Sequence, residues 1–515
     1  MSSGGAGRAL FVSSNGTGLG HLTRSMAIAR RLQTLEPLFL TLSGAAPVVR
    51  DQGFPVEYVA SYQTPGAGSD WRWSRRLRGR LRAAFAEADP ELVVFDGAHP
   101  YQGLIDALPA AGGAKRVWCR RPMWKPGANR GALGREGFFD AVLEPGEFAA
   151  ASDRGPTVER RDRAHLVDPI VFCDDADLLP REAAAEQLGL DPEATCVLVN
   201  LGQGQEVRAL AERCVTSLAG RPGVQVAVLS SAIAAGLDVP DGVVHLRATY
   251  PISRYFRAID AAVAAAGYNA YHELIRLEVP ALYCAIERQT DDQAARAAFA
   301  HAAGVGLDLA RIGADAGLAQ LLDPGARERL RARLAELRPD NGALPAASWL
   351  EQLAAAPAEA RKPAAGGWRA YLRSPARSAR RAAPFVARLP IHGAAFVKQT
   401  IQRRPPRTVV LALGVEPGGM ERAIAGALAR SPDPPGRVLV ITDSLELAPL
   451  RRLGVGVEHV PGPDEVQSRL AHGDHDAFLR ARVALILAER PRPRRLLGAG
   501  EAGGETLAAF GTLGG

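Results

Sequence analysis

The chain reads as an α/β protein: two tandem Rossmann-like, doubly wound domains, followed by a basic segment and a small α/β unit. Three observations predict this. Short apolar runs such as ALFVSS (9–14), ELVVF and ATCVLVNL recur, with Ala-rich stretches of helical spacing between them. Strands separated by helices imply parallel sheets covered on both faces. At 515 residues the chain exceeds what one core usually holds.

The first series runs over about residues 7–170. ALFVSS leads into a Gly-rich turn and then LTRSMAIARRL (22–32), whose apolar residues fall at helical spacing. PLFLTLS, VEYVA, ELVVF and KRVWC follow as further strands. A second series covers 194–356. ATCVLVNL is a strand, GQGQ a turn, EVRALAERCVTSLA a helix and VQVAVLS a strand, and GVVHL, AIDAAVAAA, PALYCAI and VGLDL continue the alternation. The stretch 361–407 is basic and interrupted by Pro, and 408–498 reads as a small α/β extension of unknown role, with RTVVLALG and RVLVITD as strands. The tail after Pro493 is Gly-rich.

Composition excludes several classes. The five cysteines, Cys119, Cys173, Cys196, Cys214 and Cys284, are odd in number and never in a C-x-x-C spacing, which argues against a disulfide framework and a zinc site. The N-terminus lacks a charged-then-apolar leader, and no apolar run reaches membrane-spanning length. A cytoplasmic location is expected. The net charge of +7 is uneven, because twelve Lys or Arg and no acid lie between Arg361 and Arg407. Without them the chain has 50 basic residues against 55 acidic ones. The segment 361–407 mixes Arg with aromatic and apolar residues, which suits an anionic membrane surface at its inner face as well as it suits a solvated linker. A similar patch, WRWSRRLRGRLRAAF (71–85), reads better as a solvated Arg-rich helix. With no recognised binding module beside the charge, nucleic acid is not expected as a partner.

Chemistry concentrates at strand-to-helix turns. In SSNGTGLGH, Gly16, Gly18 and Gly20 let the backbone approach a ligand, and the helix start favours an anion. A dinucleotide would want an acid at the end of the second strand, where Leu42-Ser43-Gly44 stands, so a nicotinamide cofactor is disfavoured. His21 sits at the carboxyl end of the first strand, where open sheets place ligands, and a neutral imidazole there is a candidate base. Asp96 ends another strand with His99 in the following loop. Asp96 either orients His21 or caps a turn. In AGYNAYHELIRLEVPALYCAIERQTDDQ (266–293), a buried strand runs into Gly267, Tyr268 and Asn269 and then a helix, an arrangement able to hold a diphosphate. Glu273, one turn in, can accept both hydroxyls of a ribose. Asp291, Asp292 and Gln293 open the next helix, as sugar ligands or as caps.

That stretch, with NGTGLGHLTRSMAIARRL, resembles the donor signature and glycine loop of family-28-type glycosyltransferases, which include the N-acetylglucosaminyl transferase of peptidoglycan synthesis. The resemblance covers about residues 8–355. It implies the GT-B arrangement, two Rossmann-like domains across a cleft, with nucleotide sugar on the second and acceptor on the first. It also implies inversion at the anomeric centre without a metal or other cofactor. Carried over residue by residue, Glu273 holds the ribose, Gly267, Tyr268 and Asn269 lie at the diphosphate, and Asp292 and Gln293 touch the sugar. Gly202, Gln203 and Gly204 form a phosphate-side loop, Tyr250-Pro251-Ile252 flanks the base, and His21 lies in the acceptor cleft. Gly-Tyr-Asn departs from the family, which prefers small hydroxyl residues there.

The expected reaction moves a hexose-type sugar from a nucleotide diphosphate, with uracil the preferred base, to a hydroxyl acceptor, a lipid-linked one included. No D-x-D motif is evident, so helix N-termini or a basic side chain must meet the leaving diphosphate. Arg288 is a candidate, although a solvated surface Arg explains it better. A nucleotide-sugar 2-epimerase and a non-catalytic scaffold of the same fold remain as alternatives. The aromatic, basic loop RVWCRRPMWKPG (116–127) favours an acceptor surface, hence transfer.

Overall fold

The computed structural model of the chain describes residues 7–14, 19–64, 69–202, 205–230, 240–247, 249–357, 406–469, 474–490 and 493–499. Gly16, Gly18, Gln203, Gly204 and nearly all of the basic segment 361–407 lie outside them.

The first sheet has seven parallel strands in the order β3-β2-β1-β4-β5-β6-β7. They are β1 Gly7–Ser13, β2 Leu35–Thr41, β3 Val56–Tyr58, β4 Leu92–Asp96, β5 Lys115–Cys119, β6 Ala141–Pro145 and β7 Ala164–Val167. Both faces are covered, so β1 and β4 are apolar almost throughout: Leu10, Phe11 and Val12 are at most 2% exposed, as are Val93, Val94 and Phe95. Helices α1 (Gly20–Ala29), α2 (Ala46–Asp51) and α3 (Asp70–Ala88) follow β1, β2 and β3. Strand order reverses between β1 and β4, which is where doubly wound sheets open a ligand crevice.

The second sheet has six strands in the order β10-β9-β8-β11-β12-β13. They are β8 Thr195–Asn200, β9 Val224–Ser230, β10 Val244–Arg247, β11 Ala261–Ala265, β12 Ala281–Cys284 and β13 Leu307–Asp308. Here the reversal falls between β8 and β11, and α4 (Tyr268–Arg276) starts directly after β11. After β12 comes α5 (Gln293–Ala303). The last helix of this stretch, α6 (Ala343–Ala355), returns to the first unit. Its Ala343, Ala346, Ala347 and Leu350 join the core that holds Met26 and Phe39, and Glu351 accepts from the backbone of Gln33 and Thr34.

The third unit is a four-stranded parallel sheet in the order β16-β15-β14-β17. Its strands are β14 Thr408–Ala412, β15 Val438–Thr442, β16 Gly456–His459 and β17 Arg495–Gly498, with helices α7 (Met420–Ala429), α8 (Leu447–Arg452) and α9 (His475–Ala488) among them. It packs on the first unit. His459 Nδ1 accepts from the Tyr58 N–H at 3.3 Å, and Arg80 and Arg482, both buried, bind Glu57 from the two sides.

Candidate active site between the first two sheets

Ser13 of β1 pairs with Asp96 of β4, so both strands deliver their ends to one point of the carboxyl edge. His21, the second residue of α1, lies there with Nδ1 2.7 Å from Asp96 Oδ1. Arg24, one turn along α1, grips the same carboxylate, Nε to Oδ2 at 2.8 Å and Nη2 to Oδ1 at 2.5 Å. Asp96 and Arg24 are each 1% exposed and His21 is 18% exposed. Burial alone would raise the Asp96 carboxyl, but Arg24 and the His21 hydrogen bond outweigh it and keep the pKa below the usual carboxylate range. Burial lowers the His21 imidazole despite the pull of Asp96. An imidazole whose Nδ1–H donates to a fixed carboxylate presents Nε2 as an acceptor, the arrangement a general base needs.

Helix α4 faces this point from the second sheet. Gly267 is its N-cap, in extended conformation. Asn269 Nδ2 donates to the Gly20 carbonyl at 3.3 Å, joining the glycine loop to the start of α4. Its Oδ1 is buried with no hydrogen-bond partner among the described residues. The Tyr268 hydroxyl donates to the Gly146 carbonyl at 2.9 Å and accepts from Ile170 N–H at 3.1 Å. Arg24 stands over its ring at 5.1 Å. The start of α4 thus carries a buried ring that packs against Arg24. Tyr250 adds a further link, its hydroxyl donating to Thr23 Oγ1 at 3.1 Å.

Glu273 lies one turn into α4 and is 8% exposed. Burial pushes its carboxyl up to about 7, and the backbone N–H of Phe172 and the Ser253 hydroxyl pull back only part of that rise. Of the described residues, none that acts on it is a cation. A buried carboxylate held by neutral donors alone is energetically exposed, and a diol that donates two hydrogen bonds would relieve it.

Asp292 caps α5, its Oδ1 accepting from Ala295 N–H at 3.1 Å. Gln293 accepts from Ile286 N–H at 3.0 Å and donates to Asp291 at 3.1 Å. Asp291 is not a cap. It forms a buried ion pair with Arg296 at 2.6 Å and with Arg121 at 2.8 Å. Arg296, fully buried, also binds Glu147 at 2.8 Å. Burial opposes ionisation of Glu147, yet Arg296 and His272 bring it down to about 2. The loop 121–125, part of the 116–127 stretch read from sequence as an acceptor surface, clasps the loop 290–292. Lys125 N–H donates to Thr290 O at 2.7 Å, Asp292 N–H donates to Met123 O at 2.9 Å, and Trp124 bridges antiparallel to Asp291.

His99 is exposed, with its Nδ1 3.3 Å from Asn129 Oδ1. Gly202, at φ 81, lies two residues past the end of β8. Sequence reasoning missed Arg24, Arg121, Arg296 and Glu147. Only Arg24 carried a local signal, an arginine three places after His21 and so on the same helical face.

No protein-family model matches the chain, and neither does any curated protein. Among solved structures, the glycotransferase of kitacinnamycin is 19% identical over 68% of this chain and 99% of that one, with a TM-score of 0.46. Spinosyn forosaminyltransferase SpnP is 18% identical over 68% and 99%, at 0.49. MurG of Acinetobacter baumannii is 15% identical over 67% and 99%, at 0.43. Likenesses this remote carry no argument about chemistry, and the α/β assignment rests on the sheet orders. Among the described residues no helix is long and apolar enough to cross a membrane.

Proposed function

We propose that the chain is an inverting glycosyltransferase that uses a nucleotide diphosphate sugar, with the donor on the second unit and a hydroxyl acceptor on the first. The observation that carries this reading is the buried His21–Asp96–Arg24 constellation at the switch point of the first sheet, bonded through Gly20 to the start of α4. In the proposed step His21 Nε2 takes the acceptor's hydroxyl proton. The oxygen attacks the anomeric carbon and the bond from that carbon to the diphosphate oxygen breaks. The imidazolium is stabilised by Asp96, and the charge gained by the departing diphosphate meets the backbone N–H groups at the start of α4. Glu273 binds the ribose diol. Asp292 and Gln293 present their remaining lone pairs and N–H groups to the sugar, and Gly202 to Gly204 line the phosphate side. For a lipid-linked acceptor, the basic stretch 361–407 would supply the membrane contact.

Calorimetric titration of UDP, dTDP, GDP and NAD into the wild type and Glu273→Ala tests this. One nucleoside diphosphate should bind, and roughly 10–100-fold more weakly to the variant, the loss of a hydrogen bond to a charged group. Absence of nucleotide binding, or equal binding by the variant, would overturn the donor assignment. Sugar transfer abolished by His21→Ala, with binding retained, would separate an enzyme from a scaffold. Epimerisation without an acceptor would favour the 2-epimerase alternative.

A further inference from the structure

The third unit repeats the strand order of the first half of the first unit, with one added helix, Pro463–Arg469. The order β16-β15-β14-β17 matches β3-β2-β1-β4, a short helix follows the second strand in each, and a long helix precedes the fourth. The match extends to residues. Tyr58 and His459 stand 401 positions apart, and at that offset α2 (Ala46–Asp51) overlays α8 (Leu447–Arg452) without a gap. Thr41, Ser43, Arg50, Gly53, Val56, Glu57 and Val59 recur as Thr442, Ser444, Arg451, Gly454, Val457, Glu458 and Val460. Their local bonds recur too. Ser43 N–H donates to Thr41 Oγ1 at 3.0 Å, as Ser444 N–H does to Thr442 Oγ1 at 3.0 Å. Val59 N–H reaches Thr41 O at 2.8 Å, and Val460 N–H reaches Thr442 O at 2.9 Å. Gly53 and Gly454 turn the chain at φ 83 and 72.

The two copies meet through equivalent surfaces. Arg80 lies mid-way along α3 and Arg482 mid-way along α9, both 2% exposed. Arg80 crosses to Glu458 at 3.5 Å, and Arg482 crosses to Glu57 at 3.0 Å. A residue of one copy touching the counterpart of the residue that touches its own counterpart is the mark of a two-fold, isologous contact. Close packing supports it. A Cβ on Gly44 would meet the Arg451 guanidinium at 1.1 Å, and one on Gly79 would meet Glu489 at 2.0 Å.

The second copy lacks the catalytic pair. Ala412 pairs with Thr442 as Ser13 does with Thr41, and Leu411 pairs with Gly498 as Val12 does with Phe95. The position of Asp96 therefore falls to Ala499, and no histidine lies between β14 and the end of α7. We infer that residues 408–498 are a catalytically empty second copy of the first half-domain, retained as a built-in partner that covers its β3–α3 face as another copy would. That the copy is catalytically empty rests on the base role proposed for His21 and Asp96; the repeat and its packing do not.

The test inserts a specific protease site within 361–407 of the full chain and follows the cut protein by size-exclusion chromatography with light scattering. The cut wild type should remain one particle with the 54.5 kDa mass of the whole chain. Glu458→Arg, which sets a cation against Arg80 and Arg490, should release the C-terminal fragment. Arg80→Ala, on the other side, should do the same and guards against misfolding of the third unit. Separation of the cut wild type, a particle of twice the mass, or retention in both variants would overturn the inference.

Discussion

Replacing Glu273 with Gln should stabilise the free protein above neutral pH while abolishing what the site is for. Glu273 is 8% exposed, and burial raises its carboxyl pKa from 4.5 to about 7. A group that binds its proton more tightly folded than unfolded lowers stability as pH rises between those two values. Below about 4.5 the carboxyl is protonated in both states, and wild type and variant differ little. Above about 7 it is ionised in both, and the whole penalty is present. At about 1.4 kcal/mol per tenfold change in protonation, the gap corresponds to roughly 3 kcal/mol. The amide keeps the shape and never ionises. Urea unfolding at about pH 5 and pH 8, in the absence of nucleotide, should show the variant gaining roughly 3 kcal/mol on the wild type at the higher pH and much less at the lower. A gain independent of pH, or none, would mean that Glu273 is solvated or paired in the free protein. The strain argument for its ligand would then fail.

Four further outcomes follow from the same geometry. His21→Ala should lower kcat by roughly 10²–10⁴ and leave nucleotide affinity unchanged, as expected for a lost general base. Because burial lowers the His21 pKa below 6.5, the wild-type rate should stay level through neutrality and fall only below that ordinary value, which a pH–rate profile would read. Arg24→Ala leaves Asp96 buried beside a neutral imidazole and should cost about 3–5 kcal/mol in chemical denaturation, with any residual activity shifted in its pH dependence. Asp291→Asn removes the partner shared by Arg121 and Arg296 and should loosen the 121–125 clasp, seen as faster amide exchange at Lys125 and Asp292.

The parts of the site that strand ends deliver were legible in the sequence. His21 and Asp96 each follow a buried apolar run, and parallel pairing of β1 with β4 leaves their ends little choice but to meet. Gly267 likewise follows a buried strand, at the turn from β11 into α4. The ionic network was not. Arg296 and Glu147 are 149 positions apart, and periodicity shows only that an arginine falls on an inward face, without naming what neutralises it. Asp291 and Asp292 read alike as caps, yet one caps and the other pairs, because only tertiary contact with Arg121 distinguishes adjacent carboxylates. The repeat at 408–498 escaped notice because its identities are spread thinly and sit where turns and core demand them.

The return of α6 to the first core has a mechanical consequence. Two chain segments cross between the units side by side, tied by Gly342 N–H to Pro169 O at 3.0 Å and by Asn341 to both Val171 N–H and Val171 O at 3.2 Å. A body held by two adjacent pins swings about one line and neither twists nor slides freely. Travel would then grow with distance from that line and be greatest at the rim where the 121–125 and 290–293 loops clasp.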